Sequence, residues 1–201
     1  MRISVILGCC AALLLGACGG SKPVVTTGPT STTPSASSTA PAGSTTTAAA
    51  CPPGAVPVTP VTGPTTTNAS LLTNVHEVVD ACHDEVIFDF TATGTDPPGF
   101  SLTYGTPPFA DSGSGAPVAV AGTAFVVVTV KPGYGYDFVA GTPTYTGPKS
   151  VPVPQDHHVR AIVETGDFEG VLNWVIGLDT KRPFSVQATG TPKHQLIVTI
   201  S

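Results

Sequence analysis

Two carboxylates flank an aromatic ring in Gly166-Asp-Phe-Glu-Gly170. Held about 5–9 Å apart across a sugar cleft, such a pair could hydrolyse a glycosidic bond. The plainer reading makes Gly166-Asp167 a turn and Phe168 a core plug. Asp167 and Glu169 are then solvated, bound to backbone amides, or gripping a ligand or a neighbouring loop. Tyr134 and Tyr136 lie in a Gly-rich loop and suit contact with something outside the fold, since a phenol combines an apolar ring with a polar tip. Asp156-His157-His158 invites a metal reading, yet adjacent strand residues point to opposite faces, and His76, His83 and His194 stand apart without zinc-ligand spacing. No metal and no cofactor is expected. The chain has no Gly-x-Ser-x-Gly elbow, and Cys82 beside His83 suits half of a disulfide better than a nucleophile. No catalytic residue is assigned, and the chain reads as a non-enzyme.

The chain has five cysteines. Met1-Arg2 is followed by an uncharged, mostly apolar run from Ile3 to Leu15, a secretory signal too short to span a bilayer comfortably. The run leads into Leu15-Gly-Ala-Cys18, which resembles the lipobox of bacterial lipoproteins. That resemblance implies a signal peptide over 1–17 and lipid attachment at Cys18. It places the protein at the outer face of the cytoplasmic membrane, where two acyl chains hold and one binds only marginally. Cys9 and Cys10 leave with the signal, so Cys51 and Cys82 remain as an even pair in a compartment that permits disulfides. Their bridge would close a loop of about 30 residues and stabilise by roughly 3–4 kcal/mol. Two unpaired thiols are the alternative.

Residues 18–70 are dominated by Thr, Ser, Pro, Ala and Gly, with Lys22 the single charge. Such a stretch buries too little apolar surface to offset the entropy of ordering, and it reads as a disordered tether. Its ends would lie roughly 40 Å apart as a flexible coil, or on the order of 150 Å apart if stiffened by its prolines. From Leu71 to Ser201 there is one domain's worth of chain, with all thirteen Asp and Glu and six of the eight Lys and Arg, an excess of seven negative charges. This acidity argues against nucleic acid as a partner and against electrostatic docking onto anionic lipid.

The elements that must position these residues are strands. Alternating patterns recur: Val86, Phe88 and Phe90 share a face; so do Val126, Val128 and Val130; so do Leu172, Trp174, Ile176 and Leu178; so do Leu196, Val198 and Ile200. Over 158–164, Val159, Ala161 and Val163 are expected on one face against Arg160 and Glu164. Shorter candidates span 73–79, 99–104, 117–120 and 183–188. Gly, Pro, Asp and Ser clusters separate these runs, and no stretch shows a 3.6-residue period. Short strands at close spacing mean an all-β sandwich or barrel. Residues 133–154 are expected as a long loop or an irregular edge hairpin.

An ordered series of motifs adds to this reading: Gly113-Ser-Gly-Ala-Pro-Val118, Val120-Ala-Gly122, Thr146-Gly-Pro148, Gly166-Asp-Phe-Glu-Gly170, Trp174-Val-Ile-Gly-Leu178 and Pro183-Phe184. Together they resemble the AMIN-like domain of secreted and lipid-anchored proteins of high-GC Gram-positive bacteria. The resemblance covers about 71–201 and implies a single β-sandwich. By analogy with the better-known AMIN domains, it also implies a non-catalytic module that binds peptidoglycan. The chain departs from the group at Cys82-His-Asp-Glu-Val86, which lacks an aromatic and an arginine, and at Pro192–Thr199, which lacks a final aspartate. No site residue is carried over from those positions.

The expectation is therefore a lipid-anchored, monomeric envelope protein whose β-sandwich binds peptidoglycan or another cell-wall glycan. A scaffold that binds an envelope protein is the alternative, and a glycan hydrolase using paired carboxylates is the third reading. Asp167, Glu169, Tyr134 and Tyr136 are the candidate ligand-binding residues.

Overall fold

A computed structural model describes residues 60–201; Cys18, Cys51 and the expected tether up to residue 59 lie outside the described residues. Fifteen strands form in this region: β1 (Val61–Thr62), β2 (Ser70–Val79), β3 (Asp84–Ala92), β4 (Phe100–Gly105), β5 (Phe109–Ala110), β6 (Pro117–Val118), β7 (Ala124–Val130) and β8 (Gly133–Tyr134). They continue with β9 (Tyr136–Asp137), β10 (Thr142–Pro143), β11 (Ser150–Val151), β12 (Val159–Phe168), β13 (Val171–Leu178), β14 (Phe184–Thr189) and β15 (His194–Ile200). One sheet has the order β1-β4-β7-β13-β12-β11 and the other β14-β15-β3-β2-β8. Two short ribbons, β5-β6 and β9-β10, accompany them.

The expected all-β sandwich is what forms, and its core follows the alternation. Val86 and Phe88 on β3 sit level with Val198 and Leu196 on β15, and all four are buried. Opposite them, β7 and β13 contribute Val126, Val128, Val130, Leu172, Ile176 and Leu178. Trp174 is fully buried between the sheets, edge-on to Phe88 with ring centroids 5.8 Å apart. Burying side chains of this size contributes about 1.5–3 kcal/mol each.

Four local expectations differ from the structure. The first is the phase of β12, where Val159 and Ile162 join the core while Ala161 and Val163 are buried outside it. Pairing with β13 is irregular between Val159 and Ala161 and again between Glu164 and Gly166. An extra residue at each bulge reverses which side chains face inward. The outward set is covered by residues 106–122. There Ser112 N donates to Thr165 O (2.8 Å), Thr123 N donates to Leu178 O (2.8 Å), and Phe109 meets Phe125 edge-on at 5.2 Å. A Cβ on Gly177 would overlap the Ala121 carbonyl oxygen, so only glycine lets the strap lie this close.

The second difference is the turn between β12 and β13. Phe168 pairs with Val171, leaving Glu169-Gly170 as a two-residue loop with φ of 51° and 77°. Positive φ at both positions is the mark of a type I′ turn, whose twist matches that of the flanking strands. Gly166 and Asp167 therefore stay in the strand, and Phe168 is not a core plug but 48% exposed at the rim.

Third, residues 133–154 do more than form an edge hairpin. The chain leaves β7 in one sheet and pairs β8 in parallel with β2 in the other, Ser70 opposite Gly133 and Leu71 opposite Tyr134. It then returns through β9-β10 to β11, where Val151 pairs with Ile162. Fourth, Val61 and Thr62, expected in the tether, pair with Leu102 and Ser101, because β4 offers an open edge and Val61 packs against the core.

Cys82 lies in the β2–β3 turn, where Asp80 Oδ1 accepts from Cys82 N (2.7 Å) and His83 N (2.9 Å). It is disulfide-bonded, and its partner falls outside the described residues. Nearby, Asp84 is buried and accepts from His158 N (2.7 Å) and Val159 N (2.8 Å), tying β3 to the start of β12. Glu77 on β2 has both carboxylate oxygens buried without a hydrogen-bond partner among the described residues. Burial, and then the charge of Asp84, push its pKa from 4.5 up to about 7.

Because the folded-state pKa of Glu77 is raised, folding is favoured below its unfolded value. That stability is lost as pH rises through about 7. Thermal melts from about pH 4 to 8 should show a midpoint that falls between about 4.5 and 7 and levels off above, and Glu77→Gln should flatten that fall. Glu169 occupies the left-handed region, which costs a residue with a Cβ about 1–2 kcal/mol and which Asn tolerates better. Denaturant titration of Glu169→Asn should show a gain of about 0.5–1 kcal/mol.

Candidate functional site

The cleft lies at the end of the sandwich where β8, β9 and the β12–β13 turn converge. Gly133 N donates to Gly170 O (3.0 Å), fixing the start of β8 against the turn. The Tyr134 ring lies over that turn, where a Cβ on Gly170 would come within 2.8 Å of its hydroxyl. Asp167 Oδ2 accepts from Gly135 N (2.8 Å), and Gly135 O accepts from Thr144 N and Tyr145 N at 2.9 and 3.1 Å. Tyr145 is held edge-on to Trp174 at 5.7 Å, so the loop is referenced to the core.

The β9–β10 turn is shaped by Asp137, whose Oδ1 accepts from Val139 N (2.8 Å) and Ala140 N (3.0 Å). A side chain that satisfies two turn amides leaves the next residues pointing outward. Phe138 is 72% exposed and Val139 fully exposed. Phe138 sits edge-on to Tyr134 with centroids 5.4 Å apart and tilted against Tyr136 at 5.1 Å. Tyr134, Tyr136, Phe138, Asp167, Phe168 and Glu169, with Gly170, line an open cleft of about 550 Å³.

The four candidates read from sequence, Asp167, Glu169, Tyr134 and Tyr136, are thus neighbours on this cleft. Phe138 and Phe168 escaped the reading of the sequence. The signal for Phe138 was its place between Gly135 and Gly141 in a loop already marked by tyrosines; Phe168 carried no such signal while it was read as a core residue. Behind the cleft, burial pushes the Glu164 carboxyl up, an effect opposed by Lys149 Nζ at 3.4 Å.

Two other hollows have different chemistry. One of about 430 Å³ combines Phe100 and Lys131 with the hydroxyls of Thr62, Ser101 and Thr129. A larger one of about 610 Å³ runs between the strap and β11 and is lined mostly by Ala, Val and Pro beside Arg160. Volume does not decide between them and the cleft; four grouped rings, two exposed and two half-buried, with carboxylates at their edge do, because they can hold a ring by its faces and its hydroxyls. His157 lies near Asp156 (3.5 Å) and His158 near Asp179 (3.9 Å), and no group of three or more His, Cys, Asp or Glu is placed to hold a metal among the described residues.

No curated protein and no solved structure matches the chain. A family model for the AMIN-like domain matches residues 70–201, which begins at the first residue of β2 and takes in both strands of the cleft hairpin. With the match spanning nearly all of the sandwich, the chain belongs to the AMIN-like domain family.

Proposed function

We propose that this domain binds peptidoglycan or another cell-wall glycan through the cleft at Tyr134, Tyr136, Phe138 and Phe168. The family is one of non-catalytic, cell-wall-related modules of the extracytoplasmic envelope, and the present chain fits that role. The observation that carries the finer reading is the convergence of the exposed Phe138 and Phe168 and the half-buried Tyr134 and Tyr136 with Asp167 and Glu169 on one open cleft. Sugar rings present C–H faces that pack on aromatic faces and hydroxyls that donate to carboxylates. An open cleft admits a chain running past it, where an enclosed pocket would admit only an end.

In this reading a lipid on Cys18 holds the protein at the outer face of the cytoplasmic membrane, and residues 18–70 carry the sandwich toward the wall as a monomer. A Cys51–Cys82 bridge would fasten the tether at the β2–β3 turn. That turn is separated from the cleft by the ten residues of β2, about 30 Å of strand. A second reading, a scaffold that contacts an envelope protein, is favoured by one feature, the fully exposed Val139 at the hairpin tip.

Co-sedimentation of the purified full-length protein with peptidoglycan sacculi, at low and moderate salt, tests the proposal. Saturable retention that survives salt is expected. Pairing Tyr134→Ala with Phe138→Ala should weaken it by about tenfold, the loss of two ring contacts of roughly 0.5–1.5 kcal/mol each. Retention that vanishes with salt, or no retention at all, would sink the glycan reading and direct attention to protein partners.

A further inference from the structure

Resting on the glycan reading above, we infer that the cleft selects sugars bearing a free, positively charged amine over the same sugars with the nitrogen acetylated. The inference deepens that reading by naming the ligand's charge.

Apart from Gly170 the lining residues are aromatic or acidic, and none is Lys, Arg or His. The cations of the domain are placed elsewhere. Lys149 faces Asp111 and Glu164, Arg182 is paired with Asp179, and Lys181 stands over the Tyr104 ring at 4.7 Å. Arg160 donates to Gln155 O, and Lys131 lines the separate hydroxyl-rich hollow. Two carboxylates therefore edge the cleft without a cation among its lining residues, in a domain with seven negative charges in excess.

Neutral hydroxyls could be received by amide or hydroxyl side chains; two full negative charges are not required for that. An anionic polymer would bring like charge against Asp167 and Glu169 and be repelled. An ammonium gains in two ways. The faces of Tyr134, Tyr136 and Phe138 carry negative quadrupole density that attracts a cation within about 6 Å. The carboxylates offer it charge-assisted hydrogen bonds, which are about twice as strong as neutral ones. Asp167 is already oriented, since its Oδ2 is held by Gly135 N, while Glu169 makes no hydrogen bond or ion pair among the described residues. An acetamido group at the same nitrogen removes the charge and can make neither contact as a cation.

The test is calorimetric titration of the full-length protein with two hexasaccharides of the same β-1,4-linked glucosamine backbone, one fully N-acetylated and one with free amines. Mildly acidic pH keeps the amines charged, and moderate salt screens diffuse attraction. The free-amine sugar should bind roughly tenfold tighter or better. Glu169→Gln, which removes no internal contact, should erase most of the preference, and Asp167→Asn the rest. Tyr134→Ala should weaken both sugars. Equal binding of the two sugars would overturn the amine inference and leave the glycan reading intact. No binding of either sugar while sacculi are still retained would overturn the amine inference alone, and no binding of either sugar or of sacculi would overturn both. A preference that persists in the Glu169→Gln, Asp167→Asn double variant would also overturn it, since attraction would then come from the overall charge.

Discussion

Trp174 is where the two sheets and the cleft-forming loop meet. Its ring spans the gap to Phe88 on the opposite sheet, and the edge of Tyr145 closes on it from residues 133–154. Its indole nitrogen is buried without an acceptor among the described residues. Leaving such a donor unpaired costs about 1–3 kcal/mol, which the burial of an indole of this size can offset. Through Tyr145 the loop backbone is held at Gly135, and Gly135 in turn holds Asp167. The cleft therefore inherits its geometry from the core as well as from the contacts of Phe138 with Tyr134 and Tyr136.

The two ends of the sandwich are closed in opposite manners. At the cleft end the closures are mostly backbone contacts, the parallel β2–β8 pairing and the Gly133–Gly170 hydrogen bond, joined by one carboxylate oxygen of Asp167 on Gly135 N. At the other end they are side-chain contacts: Asp84 receiving two β12 amides, Arg182 forked onto Asp179, and the Tyr104 hydroxyl donating to Arg182 O. Polar side chains at that end are committed to holding the sheets together, whereas at the cleft Asp167 alone serves both the loop and the open surface.

Where alternation is unbroken the sequence is legible: Val126, Val128 and Val130 on β7, and Leu172, Trp174, Ile176 and Leu178 on β13, share one face in the sequence pattern and that face is the core. It failed where a single residue changes the period. The bulges at Arg160 and Thr165 leave no compositional mark, so the phase of β12 was inverted beyond the first of them, and Phe168 was assigned to the core. Glu169-Gly170 lacks the Asn-Gly or Asp-Gly signature of its turn, which moved the turn to Gly166-Asp167. β8 and β1 are two residues long, and pairing that short is decided by tertiary proximity, not by local preference. The candidate residues were recognised by type alone, because charge and phenol content survive errors of register that reverse a strand's faces.

The β2–β8 pairing also has a mechanical meaning. A pull on the chain ahead of Val61 meets β1 first, which two residue pairs hold to β4 and which can be unzipped pair by pair. The pull then arrives at Ser70, whose amide is bound to Pro132 O and whose neighbours are Gly133 on one side and Ala92 on the other. Behind it stands a ladder of nine residue pairs with β3, to be sheared together instead of peeled singly. A pull applied directly ahead of Val61 thus reaches the base of the loop that bears Tyr134 before it can unravel the sheet. The disulfide at Cys82, by contrast, takes up force from beyond its partner at the far end of β2, so the bridge shields the ligand-gripping joint from tension.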